Sequence, residues 1–431
     1  MGSSNSEEWE YSKEVSYPFG YGLSYTTFSQ ELESVDVNLE SKTITAKVTV
    51  TNTGNVSGKD TVQLYVSLPY TEYDKVNGIE KAAIQLLDYE KTDILQPGES
   101  VVVTIEADAQ DMASWDSSCD NAVGTKGNYI LDDGDYYFTI GNGSHEAVNN
   151  VLACQGKENE IYGESNKENV RIWNLGEFDS TTFAYSNNGT AVENQLQDAD
   201  LNYYMPDTVT YLSRSDWEGT WPKTYKDLTA TDEMLEILKN DLVEIKEQGD
   251  ATSVVFGEDN GLTLADLVGV DIDDPLWEEL INQITLEEAM LRTGFGGTST
   301  KSIQSIVSPE AVQNDGPNGI NSYTLGQYAN KDKDSGDPCA VDENDKNLNY
   351  KFGTMCSETV IAQTFSKELA AEYGRVTGEY SIWSNLTILW GAGTNIHRVP
   401  YNARNHEYYS EDPVLSAYQG AAYVSGGKEY G

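Results

Sequence analysis

Basic residues, histidine and cysteine are all scarce in this chain, and each shortage removes a class of function. Only 27 of the 431 residues are Lys or Arg, against 71 Asp or Glu, which leaves a formal net charge of -44. A field of that sign repels phosphate backbones and anionic lipid surfaces, so nucleic acid is not expected as a partner. The carboxylates themselves read as a solvated surface that keeps the protein soluble. Three histidines, His145, His397 and His406, make a multi-histidine metal centre improbable on residue type alone. Cys119, Cys154, Cys339 and Cys356 stand far apart and form no Cys-x-x-Cys pair, which removes the usual zinc and redox patterns and leaves ordinary thiols. No run of about twenty apolar residues occurs, so no segment is expected to span a membrane. The opening Met1-Gly-Ser-Ser-Asn-Ser-Glu-Glu8 lacks the basic-then-apolar pattern of an export signal, and the compartment stays open.

What is present argues for folded domains. A hydrophobic content of 38% and 28 tyrosines supply burial with a polar edge, unlike a disordered acidic tail. From Thr43, the positions Ile44, Ala46, Val48 and Val50 alternate on one face, with a turn signal at Asn52–Asn55. Val62, Leu64 and Val66 repeat the pattern; Val101, Val103 and Ile105 follow the turn Leu95-Gln-Pro-Gly-Glu99, and Tyr136–Ile140 supplies a last strand. Short strands separated by turns predict an antiparallel sandwich over 16–152. Residues 153–230 are polar and read as an irregular connector, part of which packs on a neighbouring domain. From Thr231 the period becomes helical, through Met234, Ile237, Leu238, Leu242 and Ile245. Thr285-Leu-Glu-Glu288 has the spacing of a capping box. Phe365, Leu369, Tyr373, Val376 and Tyr380 predict a third helix behind Thr364, and Leu386–Trp390 reads as a buried strand. Helices alternating with short apolar runs suggest βα units.

Two stretches go beyond general pattern. Tyr17-Pro-Phe-Gly-Tyr-Gly-Leu-Ser-Tyr-Thr-Thr-Phe28 resembles the entry to the fibronectin type III-like domain of glycoside hydrolase family 3, and the sandwich after it is similar throughout. Thr285-Leu-Glu-Glu288, Asn314-Asp-Gly-Pro-Asn-Gly319, Asn395-Ile-His-Arg398 and Arg404-Asn-His-Glu-Tyr-Tyr-Ser-Glu-Asp-Pro413 then resemble, in order, the first part of that family's catalytic barrel. The resemblance implies a multidomain fold, an all-β fibronectin type III-like sandwich followed by a partial (β/α) TIM-type barrel over 231–431. In that family the sandwich usually follows the barrel; here it precedes it, as in a permuted subgroup among bacterial β-glucosidases. It implies a fragment of a retaining enzyme that hydrolyses terminal β-linked sugars of an oligosaccharide or glucoside without a cofactor. An α/β domain is then expected upstream, and the remaining barrel downstream.

Retaining hydrolysis needs two carboxyl groups about 5 Å apart, one attacking the anomeric carbon and one protonating the leaving oxygen. The family's nucleophile is an aspartate in a Ser-Asp-Trp setting after the Ser-Glu-Asp-Pro motif, here Ser410–Pro413, so it is expected beyond Gly431, and neither catalytic carboxylate is expected in this chain. Ser215-Asp216-Trp217 imitates that setting but precedes the predicted barrel; an aspartate that turns the chain explains Asp216 better. Asp315 is the preferred substrate-binding residue, since the resemblance gives it hydroxyls of the terminal sugar; the competing reading is an Asx turn. Asn321-Ser322 stands where the family often has an arginine. Arg404 matches a family arginine that binds sugar or Asp315, against a structural ion pair with Glu407. Ala403 and His406 replace the motif's glycine and phenylalanine. Arg398 and Glu407 are expected to hold Arg404, and His397 reads more readily as a buried histidine bonded to backbone than as a sugar ligand. Asp332-Lys-Asp-Ser-Gly-Asp337 lacks the glycine position and terminal glutamate of a calcium loop and reads as a solvated insertion, so no metal is expected. The runner-up function is a non-catalytic carbohydrate-binding or domain-bridging protein.

Overall fold

Nine strands, β1 Phe28–Asn38, β2 Thr43–Asn52, β3 Thr61–Ser67, β4 Gln85–Lys91, β5 Ser100–Asp108, β6 Ser114–Asp120, β7 Lys126–Ile130, β8 Gly134–Ile140 and β9 Val170–Leu175, dominate the first half of the computed structural model. The structure describes residues 11–220, 229–241, 254–294, 299–316, 319–320, 353, 355–384, 386–398 and 402–430. The chain divides into two compact units, one of residues 1–224, 359–370 and 394–421, the other of 225–358, 371–393 and 422–431. The expected multidomain organisation is therefore present.

In the first unit β1-β2-β5 form one antiparallel sheet, β4-β3-β8-β9 a second, and β6-β7 a hairpin. The alternation read in β2 is the cause of its position: Ile44, Ala46, Val48 and Val50 are fully buried while the intervening residues face outward. Together with Leu32, Val62, Leu64, Val66, Ile105, Phe138 and Ile140 they form the sandwich core. Each Val, Leu, Ile or Phe among them contributes about 1.5–3 kcal/mol relative to an exposed one. The other face of β3 is covered as well. Tyr65 Oη donates to Gln63 Oε1 at 2.6 Å, and Gln63 Nε2 donates to the Gly20 carbonyl at 3.1 Å. Gly20, at φ 83°, has no room for a side chain against Gln63 and Tyr65.

The sheet does not stop where the alternation stops. After the helix Ser144–Cys154, β9 pairs antiparallel with β8, from Gly134↔Leu175 to Thr139↔Val170. Buried amides tie this segment down: Asn150 Nδ2 donates to the Ile140 carbonyl at 2.9 Å, and Asn169 Oδ1 accepts from the Leu32 amide at 3.0 Å. Residues 170–175 are thus a sheet strand within the stretch read as irregular connector. As an edge strand β9 buries only one side chain fully, Val170, and shows little apolar alternation.

Residues 359–370 and 394–421 pack within this same unit. Lys367 Nζ lies 2.8 Å from Asp88 Oδ1 and 3.1 Å from Glu90 Oε1, over the rings of Tyr89 and Tyr418. Tyr89 Oη accepts from Gln419 Nε2 at 2.8 Å. Phe365 meets Tyr89 edge-on and also packs on Phe19. That packing holds Phe365 in the left-handed region, at φ 47°, which breaks the chain direction before the helix. The helix therefore runs Lys367–Trp383 and is capped by Ser366, whose Oγ accepts from the Leu369 amide at 3.1 Å, rather than by Thr364.

In the second unit Thr231 caps the helix Asp232–Asp241, its Oγ1 accepting from the Met234 amide at 3.2 Å. Leu242 and Ile245 lie outside the described residues. Thr285 and Glu288 form the expected capping box of the helix Leu286–Gly294: Glu288 Oε2 accepts from the Thr285 amide at 3.0 Å and Thr285 Oγ1 from the Glu288 amide at 3.2 Å. Burial alone would raise Glu288, but the hydrogen bonds from Thr285 and Ser305 bring its carboxyl down to about 2. Leu267, Leu280, Ile303 and Ile306 make a small local core. β10 Ser299–Thr300 pairs antiparallel with β11 Ala311–Asp315, which pairs parallel with β12 Ile388–Trp390. The stretch read as a buried strand is only partly so: Leu386 is buried, but Ile388 and Trp390 are 41% and 45% exposed. Among the described residues these sheets are open rather than closed into a barrel. The helical segments 371–383 and 422–428 approach so closely that a side chain at Gly374 would overlap the Tyr423 carbonyl. No helix of the described residues is long and apolar enough to cross a membrane.

Candidate functional site

Asp315 stands at the last position of β11, where the chain leaves the sheet. Its parallel partner across the sheet is Trp390, at the corresponding end of β12. Residues two apart on a strand share a face, so Gln313 lies on the side of Asp315. The Trp390 indole donates to Gln313 Oε1 at 3.1 Å, and Gln313 Nε2 donates to Thr300 Oγ1 at 2.9 Å. The backbone then turns at once. Gly316 and Gly319 both take positive φ, 154° and 115°, and the Gly319 amide closes on the Gly316 carbonyl at 3.1 Å. Gly316 is indispensable to this turn, because an added Cβ would run into the Gly319 carbonyl. The Asp315 amide donates to Asn314 Oδ1 at 2.9 Å, while the Asp315 side chain stays exposed. A carboxylate and an indole at adjoining ends of parallel strands offer a hydrogen-bond acceptor beside an apolar ring, which suits a polyhydroxylated ligand.

The segment 394–412 carries the remaining candidates and is organised by its own backbone. Arg404 Nε pairs with Glu407 Oε1, and the guanidinium lies 5.7 Å from the Tyr408 ring centre. The arginine side chain is 67% exposed and its glutamate partner 17%. His397 Nε2 bonds to the Tyr408 carbonyl at 2.8 Å, and His406 Nδ1 to the Ala403 carbonyl at 3.0 Å. Thr359 Oγ1 gathers the same loop, donating to the Tyr408 carbonyl at 2.6 Å. Arg398 is exposed and has no ion-pair partner among the described residues. Asp412 caps the helix Pro413–Lys428, accepting from the Leu415 amide at 2.8 Å, with proline in the first helical position. Burial pushes the Asp412 carboxyl up to about 6, against hydrogen bonds from the Leu415 and Val414 amides that lower it.

Asp216 has a local occupation. Its Oδ1 accepts from the Gly219 amide at 2.8 Å, and its carbonyl accepts from the Thr220 amide at 3.0 Å, so it caps the short helix Trp217–Thr220. Neighbouring Arg214 is strapped to the sandwich, its amide donating to Glu80 Oε2 at 3.1 Å and its guanidinium stacking on Tyr70 at 4.7 Å.

Two groups escaped the sequence reading. Trp390 was legible only as one apolar residue of a strand, since its partnership with Asp315 depends on parallel pairing across a long sequence gap. Glu358 is fully buried and accepts from the Gly393 amide at 3.2 Å, and no motif signalled it. The aspartates of 332–337 and the pair Asn321-Ser322 lie outside the described residues. Among the described residues no cluster of His, Cys, Asp or Glu has the form of a metal site.

Residues 60–144 match the fibronectin type III-like domain model. β-Glucosidase A of Butyrivibrio fibrisolvens is 29% identical over 96% of this chain and 45% of its own length. A β-glucosidase of Ruminococcus albus is 28% identical over 96% of the chain and 36% of its own. The chain is similar to β-glucosidases along nearly its whole length and carries a fibronectin type III-like domain. The fold agrees with the sequence: the crystal structure of a β-glucosidase from Paenibacillus barengoltzii superposes with a TM-score of 0.58 at 24% identity, covering 97% of this chain and 40% of that one. The chain thus spans less than half the length of each of these relatives.

Proposed function

We propose that this chain is part of a retaining β-glucosidase-like hydrolase that removes terminal β-linked sugars, and that residues 231–431 are the opening part of its (β/α) barrel. Asp315 is the residue that binds hydroxyls of the terminal sugar; Arg404, held by Glu407, is taken separately as a sugar-binding residue. His397 and Arg398 support the same loop. The single observation that carries this reading is the position of Asp315 at the C-terminal end of a strand in a parallel pair, followed by a turn that only glycine permits. In βα architectures ligands are taken at that end of the strands. The likeness to β-glucosidases along 96% of the chain supports the same class of substrate.

Turnover belongs to two carboxylates about 5–5.5 Å apart in retaining enzymes. Asp216 is not one of them in this reading, and the chain alone binds sugar without hydrolysing it. The test is titration of glucose into the wild-type chain and Asp315→Ala by NMR or calorimetry, alongside an aryl β-glucoside assay. Binding should weaken at least about tenfold in the variant, because a charge-assisted hydrogen bond contributes roughly 1.5–3 kcal/mol. Unchanged glucose binding would remove Asp315 from the site. Hydrolysis that disappears in Asp216→Asn would overturn the assignment of Asp216 as a cap.

A further inference from the structure

The β6-β7 hairpin carries a second candidate surface, made only of residues of the first unit. Trp115 and Tyr129 are register partners across the hairpin and pack edge to face at 5.2 Å. Opposite them runs the stretch 186–196, and together they enclose a groove of about 740 Å³. That volume falls within the roughly 300–1,000 Å³ of small-molecule sites.

The groove has fixed walls. Gly127, at φ 98°, leaves no space for a Cβ, which would lie 2.8 Å from both Asn194 Cβ and Trp115 Cζ2. Glycine is therefore what lets the indole lie across β7 with Asn194 beside it. The far wall is a tight hairpin: the Ser186 amide donates to the Thr190 carbonyl and the Gly189 amide to the Ser186 carbonyl, each at 2.9 Å, and Asn188 Oδ1 accepts from the Thr190 amide at 3.1 Å. Between the walls lie the exposed side chains of Glu193 and Gln195, which have no hydrogen-bond partner among the described residues.

The chemistry of the lining selects the occupant. One indole face, a phenol ring, three side-chain amides (Asn188, Asn194 and Gln195) and one carboxylate suit a molecule with apolar C–H faces and many hydroxyls. Anions are disfavoured by Glu193 and by the net charge of -44. No basic side chain lines the groove, so an acidic peptide finds no counter-charge. We infer that the groove between Trp115 and residues 186–196 is an accessory saccharide-binding site that takes a neutral β-linked oligosaccharide, separate from the sugar site proposed at Asp315. The choice of β-linked sugars rests on the β-glucosidase-like reading; the groove and its neutral polyhydroxylated ligand do not.

Calorimetric titration of the whole chain with cellotetraose tests the proposal. Wild type should bind with a dissociation constant below about 10 mM, and Trp115→Ala should bind at least tenfold more weakly, which corresponds to the loss of one stacked ring. Gln195→Ala, an exposed side chain with no internal partner, should weaken binding several-fold without any risk to folding. Asp315→Ala should leave the groove component of this binding unchanged and remove only what the other site holds, which its loss of glucose binding reports separately. Absence of cellotetraose binding in the wild type overturns the accessory site. So does binding that, with Asp315→Ala present to silence the other proposed site, survives both groove substitutions, or that Asp315→Ala alone abolishes.

Discussion

Glu288 shows how one side chain can serve two neighbours. One carboxylate oxygen closes the capping box with Thr285, and the pair of oxygens also accepts from the Ser305 amide and hydroxyl at 2.9 and 2.7 Å, joining the helix to the loop before β11. Glu288→Ala should cost roughly 1 kcal/mol, the usual loss for a cap, read as a lower thermal midpoint of the second unit. The pH dependence has a definite sign. The folded value of about 2 lies below the unfolded value of about 4.3, so the contribution is complete above pH of about 4.3 and is lost as pH falls toward 2. Circular dichroism across that window should show wild type losing its advantage over Glu288→Gln; a constant difference between the two would refute the role. This box was legible because capping is local, with both partners within four residues. Phe365 was not legible in the same way: its left-handed backbone is imposed by Tyr89 and Phe19, far away in the chain, and it moves the helix cap from Thr364 to Ser366.

At the scale of elements, the helix crossing at Gly374 makes a counterintuitive case. Alanine normally favours a helix by about 1 kcal/mol over glycine. Here the added methyl would enter the space held by the Tyr423 carbonyl, and backbone cannot swing aside like a side-chain tip. Overpacking of this kind costs about 1–3 kcal/mol, so Gly374→Ala should lower the thermal midpoint despite its better propensity. An increase would mean that the two helices can part cheaply. The strands divide along similar lines. β2 was readable because four consecutive inward positions are apolar, whereas β9 carries Arg171 and Asn174 among its six residues and gains its identity from β8. The site follows the same rule. Asp315 was visible through the resemblance carried by Asn314–Gly319, and Trp390 was hidden because nothing local to β12 reveals that it pairs beside β11.

For the whole molecule, 71 acidic against 27 basic residues means that folding compresses like charges. Lys367 offsets this locally, placed between Asp88 and Glu90. Elsewhere the repulsion is open to screening, and at about 0.1 M salt the screening length is already near 10 Å. Raising sodium chloride from about 10 mM to about 0.5 M should therefore raise the thermal midpoint by several degrees, reported by circular dichroism at fixed pH. A flat response would mean that the carboxylates are too far apart to matter. The order of the sheets bears on how such a domain is inherited. β2 lies between β1 and β5, yet β1 and β2 both precede the matched segment 60–144. A gene fragment cut to that segment would carry β5 without either companion of its sheet, its backbone edge unpaired and Ile105 stripped of its neighbours on β2. The sheets close only over the longer stretch from β1 to β9, so a piece limited to the matched segment should fail to fold as a body.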